Sequence, residues 1–384
     1  MAGKTILILG GGIGGQVAAN LLRKEISRDH RVVLIDRKPD AVFAPSLLWL
    51  IVGKRELHQI RRPIASLSRK GIEVIQAEAT RIDPAARTVA AGDQILSYDS
   101  LIISLGADLA PETVPGLVEE AHSFYEPSGA LRLWEAVRGF PGGRVVILIA
   151  ATPFKCPAAP YEAAMLLDGY FKRRGLQTKV DLSLYTPEPL PMPVAGPAVG
   201  TAVKQMVEGR GIGFHPMMKI ASVEAKGKEL LFENGQRVGY DLLIAIPPHR
   251  APRVARDSGL TAESGWIPVD PKSLKTRHEG VYAIGDITSI MLPVGKPLPK
   301  AGVFAHYEAE TVAKNIAAEL EGSQPTHLFN GRGYCFLELG AGRAGFASGD
   351  FYATPEPKVT MRSPGYHWHW GKVLFERWWL RHWL

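Results

Sequence analysis

Most of the chemistry this 384-residue chain can do sits on its two cysteines, Cys156 and Cys335. They lie 179 positions apart, and cysteines so separated are, without context, more often inert buried residues than a reacting pair. The setting of Cys156 argues otherwise. Arg144-Val-Val-Ile-Leu-Ile-Ala150 reads as a buried parallel strand, and Ala151-Thr-Pro-Phe-Lys-Cys156-Pro157 is the turn after it. Parallel sheets place ligands at the carboxyl ends of their strands. A thiol there is placed for sulfur chemistry. Glu162, on the helix expected to follow, can accept a proton, although an exposed helical glutamate is as common. Lys155 and Lys300 can stabilise a thiolate or another anion. His122, His215 and His306 read as packing or surface residues, and no metal-ligating set is expected.

The elements that position these groups begin at the amino end. Lys4-Thr-Ile-Leu-Ile-Leu9 is a short apolar strand that runs into Gly10-Gly-Gly-Ile-Gly-Gly15, and Gln16–Leu22 has helical spacing. Gly10, Gly12 and Gly15 fit G-x-G-x-x-G: a tight turn, close approach to a pyrophosphate, and close helix–strand packing. The helix N-terminus offers free N–H groups to the phosphates. The next strand, Arg31–Ile35, ends at Asp36, an acid suited to ribose hydroxyls. Two further strands end in small-residue turns, Tyr98 to Gly106 and Thr276 to Gly285-Asp286. The second reads T-x-x-x-x-h-Y-h-h-G-D, about 270 residues after the glycine loop, the pattern of two-dinucleotide-domain flavoproteins.

On these segments the chain resembles the flavoprotein disulfide reductase superfamily. That resemblance implies an α/β fold of two Rossmann-like domains, the second inserted in the first. FAD would be the cofactor, with Asp286 on its ribityl chain and Gly10, Gly12, Gly15, Asp36, Gly106 and Gly285 around it. The expected division is residues 1–110 and 241–322 for the FAD domain, 111–240 for the insert, and 323–384 for a C-terminal segment.

The insert keeps the βαβ order, with Tyr161–Phe171 as helix and Lys179–Tyr185 as strand, but lacks a second glycine loop. Thr152, Pro153, Phe154 and Lys155 would obstruct a pyrophosphate, and Pro153 lacks an N–H. NADH and NADPH are therefore expected to be poor substrates. Phe154-Lys-Cys156-Pro-Ala-Ala-Pro-Tyr-Glu162 and Gly333-Tyr-Cys335-Phe336 resemble the cysteine segments of sulfide:quinone oxidoreductases and of the flavocytochrome c sulfide dehydrogenase flavoprotein subunit. Phe43-Ala-Pro-Ser46-Leu-Leu-Trp49 and Pro299-Lys300-Ala-Gly302 resemble flavin-side segments of the same families. The resemblance implies a Cys156/Cys335 redox pair that oxidises sulfide to polysulfide or sulfur, Glu162 and Lys300 assisting, and electrons passing through FAD to a membrane quinone. Ser46, Lys300 and Gly302 would touch the cofactor, and Phe336 and Phe375 would flank the quinone. No cysteine lies near Ser123 or Ser128, so FAD is expected to be noncovalent. Which cysteine faces the flavin stays open, with Cys335 favoured.

A net charge of +7 with no basic block or nucleic-acid motif points away from nucleic acid. Two cysteines do not make a secreted disulfide framework. The first strand starts too early to leave room for a signal peptide, and no apolar run is long enough to span a bilayer. Five of the eight tryptophans lie between Trp368 and Trp383. Trp370, Leu374 and Trp378 share one helical side and Val373, Leu380 and Leu384 another, while Lys372, Arg377 and Arg381 could reach anionic lipid heads. The expected location is peripheral on the cell membrane, cytoplasmic side, bound to the bilayer surface. The main competing readings are a flavocytochrome c-type subunit passing electrons to a cytochrome and a type II NADH:quinone oxidoreductase. A tail helix folded back on the domain or forming a dimer contact is the competing reading of the tryptophans, and a homo-oligomer stays open.

Overall fold

The computed structural model describes residues 3–384 and builds them around two parallel sheets. The first runs in the order Val281–Ala283, Ser100–Ile103, Thr5–Leu9, Arg31–Asp36, Glu73–Gln76, every pair parallel. Its central strands are covered on both faces, which is why they read as unbroken apolar runs. Ile6, Leu7, Ile8 and Leu9 have no exposed surface. Helix Ile13–Glu25 lies against helix Gly302–Leu320, so closely that a Cβ on Gly302 would sit 2.4 Å from Ile13 Cδ1.

The second sheet runs Gly213–His215, Val180–Tyr185, Gly143–Ile149, Leu242–Ile246, again all parallel. Helix Ala159–Arg173 follows the central strand. The boundary expected at residue 240 is moved by this sheet. Leu242–Ile246 pairs with Val145–Ile149, so the insert runs through Ile246. A strand buried in parallel pairing looks the same in either domain, and only its partner decides.

The C-terminal segment is a three-stranded antiparallel sheet, Arg332–Gly340, Arg343–Asp350 and Lys358–Gly365, followed by helix Tyr366–His382. The helix folds back onto the body. Trp379, Leu380 and Trp383 enter the core around Val17, Leu22 and Ile316, while Val373 joins the core of the insert. The opposite side stays open: Tyr366, Trp370 and Leu374 are each more than 60% exposed and Trp378 46%. Their four-residue spacing makes one stripe along the helix. Among the described residues no helix is long and apolar enough to cross a membrane.

Candidate active site

A cavity of about 350 Å³ opens at the carboxyl edge of the first sheet, lined by the glycine loop, Ser104, Gly106, Gly285, Asp286 and Gly302. The loop's geometry follows from its glycines. Gly10 has φ +96°, and a Cβ on Gly15 would sit 1.8 Å from the Gly10 carbonyl oxygen. Gly12 faces open space, with no protein atom within 4 Å of where its Cβ would be. Asp36 supports the loop from behind, Oδ2 accepting Gly11 N–H at 2.5 Å and Oδ1 accepting Lys38 N–H at 2.7 Å. Gly285 N–H donates to the buried Glu308 at 2.5 Å. Burial pushes Glu308 up to about 7, against that hydrogen bond. Asp286 lines the cavity with Oδ1 buried and unpartnered, and burial raises its pKa against the pull of Lys300 and Lys155.

Both cysteines line this cavity, as free thiols. Cys156 ends the turn after Gly143–Ile149 with φ +54°, a left-handed conformation uncommon outside glycine. It is held there by its N–H, which donates to Lys300 O at 2.7 Å. Cys335 stands on the strand Arg332–Gly340, its thiol donating to Phe336 O at 3.2 Å. Burial raises both thiols, Cys156 well above its ordinary value with Cys335 adding to the effect, and Cys335 to about 12. The cation that opposes this at both sulfurs is Lys372.

The sequence places Lys372 among the lipid-reaching cations, and the structure overturns that: it is 4% exposed and lines the cavity. Its Nζ donates to Glu162 Oε1 at 3.0 Å, and Glu338 N–H donates to the same oxygen at 2.8 Å. Glu162 is 2% exposed rather than on a solvated face. Burial raises its pKa and Lys372 opposes the shift. Burial draws Lys372 down, but Glu162 and Glu338 more than offset it and its pKa is raised. Glu338, with no exposed surface, pairs His369 at 2.9 Å.

Two expected contacts come out differently. Ser46 is outside the cavity lining; its buried hydroxyl donates to Glu376 of the C-terminal helix, which also pairs Arg55 at 3.0 Å. Lys300 lines the cavity, but its Nζ donates to Asp286 O at 2.6 Å and Thr288 O at 3.0 Å and lies 3.4 Å from the Trp266 ring centre. Burial lowers it to about 8. Its anchored backbone, rather than a free ammonium, is what reaches Cys156. Phe336 and Phe375 do meet, ring centres 6.4 Å apart, at the end of the cavity near Trp379. Sequence reasoning missed Tyr125, whose buried hydroxyl is unpartnered beside Cys156, and passed over His306, which lines the cavity with Nδ1 unpartnered.

A second cavity, about 520 Å³, lies on another side of the cysteines. Cys156, Cys335, Phe154, Pro187, Met192 and Val359 line it, and the glycine loop does not.

Residues 4–309 match the pyridine nucleotide-disulphide oxidoreductase family. The chain belongs to that family. It is 25% identical to the mitochondrial sulfide:quinone oxidoreductase of Mus musculus over 91% of this chain and 79% of the mouse protein. It is 26% identical to the sulfide-quinone reductase of Aquifex aeolicus over 98% of this chain and 90% of that one. The crystal structure of the sulfide:quinone oxidoreductase from Aquifex aeolicus superposes with a TM-score of 0.90 at 25% identity, covering 99% of this chain and 91% of the other.

As a pyridine nucleotide-disulphide oxidoreductase the protein uses FAD, and the residues fit that cofactor. Gly12 leaves room for a pyrophosphate at a helix N-terminus. The orphaned Asp286 oxygen offers an acceptor to a ribityl hydroxyl. At the matching edge of the insert, this member of the family carries Pro153, Phe154 and Cys156 instead of a second glycine cradle.

Proposed function

We propose that this protein is a sulfide:quinone oxidoreductase working through a Cys156/Cys335 redox pair on the bilayer surface. The observation that carries the reading is that both cysteines line the cofactor cavity and the second cavity at once. Sulfide arrives from the second cavity, because the first is taken up by the cofactor. It attacks the oxidised pair, leaving a persulfide on one cysteine and a thiolate on the other. Lys372, the cation shared by both sulfurs, stabilises the thiolate, and Glu162 keeps that lysine charged. Bound FAD supplies a two-electron acceptor between sulfur and quinone. Gly12, Gly106, Asp286 and Gly302 hold it, and Phe336 and Phe375 flank the quinone ring.

The Tyr366–Trp378 stripe sits at the headgroup level of the membrane, with Arg377 and Arg381 beside it for anionic lipid. The same helix carries Lys372, Phe375 and Trp379 to the cavity, so a quinone leaving the bilayer has one helix to pass.

The test is anaerobic flavin absorbance on adding sulfide and then a soluble quinone, with NADH in a parallel cuvette. Bleaching by sulfide and recovery with quinone, with NADH inert, is the expected result. Cys156→Ser and Cys335→Ser should each keep FAD and lose the sulfide response. Bleaching by NADH alone would move the protein to the NADH dehydrogenases.

A further inference from the structure

The second cavity is nearly all apolar. Pro153, Phe154, Pro187, Pro189, Met192 and Leu298 make much of its wall. Such a wall admits neutral hydrogen sulfide far more readily than the hydrosulfide anion, which would lose its hydration. The reacting species, however, is the anion, so a base must stand inside. Among the described residues lining this cavity there is one carboxylate, Glu188, and no histidine. Glu162 lines only the cofactor cavity and is held there by Lys372 and the Glu338 N–H. Neither cavity lysine serves as the base: Lys300 spends its Nζ on two carbonyl oxygens, and Lys296 is exposed at the mouth.

Glu188 follows the strand Val180–Tyr185 and is 8% exposed. Its Oε2 accepts from Tyr161 O–H at 3.3 Å and from Thr186 O–H at 3.5 Å, while no described protein group bonds Oε1. That leaves one oxygen oriented by the protein and one for the cavity. Building on the function proposed above, we infer that Glu188 is the general base for sulfide, taking one proton from hydrogen sulfide as its sulfur attacks the Cys156–Cys335 disulfide. The step balances. Hydrogen sulfide, the Glu188 carboxylate and the disulfide become a cysteine persulfide, a cysteine thiolate and a protonated Glu188, the second proton of hydrogen sulfide staying on the persulfide. The S–S bond breaks as a new one forms, and the sulfide sulfur is oxidised as the cysteine pair is reduced.

Burial lifts Glu188 to about 7, with the Tyr161 and Thr186 hydrogen bonds and Lys296 holding it back. The other ionisable groups facing the cavity are Cys156, Cys335, Lys300 and Tyr334. A base in this range is half ionised at neutral pH, and it gives up its proton readily to the solvent at the mouth.

The experiment follows two readouts in oxidised holoenzyme mixed anaerobically with sulfide between pH 5.5 and pH 9, chosen as roughly two units around neutrality. One is flavin bleaching. The other is the mass of one added sulfur on Cys156 or Cys335 in quenched samples. Wild type should show an acidic limb that Glu188→Gln abolishes, with the rate at neutral pH falling roughly 100-fold. Glu188→Asp should recover much of the rate. Tyr161→Phe, which removes a bond favouring the carboxylate, should move the acidic limb to higher pH. Recovery of dithionite-reduced flavin by quinone should be unaltered in every variant, showing that the fold and cofactor site are intact. Glu188→Gln that forms the persulfide at the wild-type rate and with the wild-type pH profile overturns the assignment while leaving sulfide oxidation standing. A wild-type flavin that sulfide does not bleach overturns both.

Discussion

Charge placed without water is what the residues of this site have in common. Glu162, Lys372 and Glu338 are all below 5% exposed, and each is bearable only because the others are there. Removing one partner of such a pair leaves an uncompensated ion, which costs roughly 3–5 kcal/mol. Lys372→Met should lose stability in that range by urea unfolding of the FAD-bound protein, and adding Glu162→Gln should restore part of it; independent, additive losses would contradict the pairing. Glu308 offers a pH test. Its carboxyl stands at about 7 folded against 4.5 ordinarily, so the folded state holds its proton more tightly. Its contribution is therefore fully present below about pH 4.5 and is lost as pH rises through about 7. Glu308→Gln keeps an oxygen for Gly285 N–H and cannot ionise. Its melting temperature should match wild type at pH 4.5 and exceed it increasingly towards pH 8, and a constant difference across that range would refute the assignment.

At the level of elements, the glycine loop separates two duties that look alike in sequence. Gly15 is packed against the Gly10 carbonyl, and Gly12 faces only the cavity. Gly15→Ala should therefore lower the melting temperature of the cofactor-free protein. Gly12→Ala should leave it unchanged and weaken FAD binding at least about tenfold, by fluorescence titration, since the pyrophosphate needs that approach. A Gly12→Ala protein with wild-type FAD affinity would mean the loop cradles nothing. This loop, the strand-end aspartate and the cysteine turn were legible because they are local: strand, turn and helix follow one another within a few residues. The inner face of the C-terminal helix was not. Lys372 reads as a lipid-reaching cation until Glu162, 210 residues away, is seen opposite it, and nothing local pairs Glu376 with Ser46, 330 residues away. Helical spacing did place Val373 and Leu380 on one side and Trp370, Leu374 and Trp378 on the other, and the body covers the first of these. The segments that carry Ser46 and Lys300 border the cavity, but a motif fixes where the backbone runs, not which way one hydroxyl or ammonium turns.

For the molecule as a whole, the C-terminal helix has two sides of different use. Its inner side completes the cavity with Lys372, Phe375 and Trp379, and its outer side exposes Tyr366, Trp370, Leu374 and Trp378. Four large apolar side chains exposed in one stripe mark an interaction surface, and the headgroup region proposed above is one that gains from them. The two sides can be separated experimentally. Trp378 stacks on Phe375 with ring centres 6.0 Å apart, so changing it would disturb the proposed quinone site. Trp370 and Leu374 avoid that contact. Replacing both with serine removes apolar area that, on entering lipid, is worth roughly 1.5–3 kcal/mol per side chain when fully buried. Partial insertion realises a fraction of this, so partition into anionic vesicles should fall about tenfold to a hundredfold in a sedimentation assay. Reduction of a water-soluble quinone by sulfide should stay at the wild-type rate, because no cavity residue has changed. Raising salt should weaken wild-type binding too, through Arg377 and Arg381. Unchanged partition of the double variant would assign the stripe to a contact between copies of the chain, and a matching shift in sedimentation velocity would then identify that dimer.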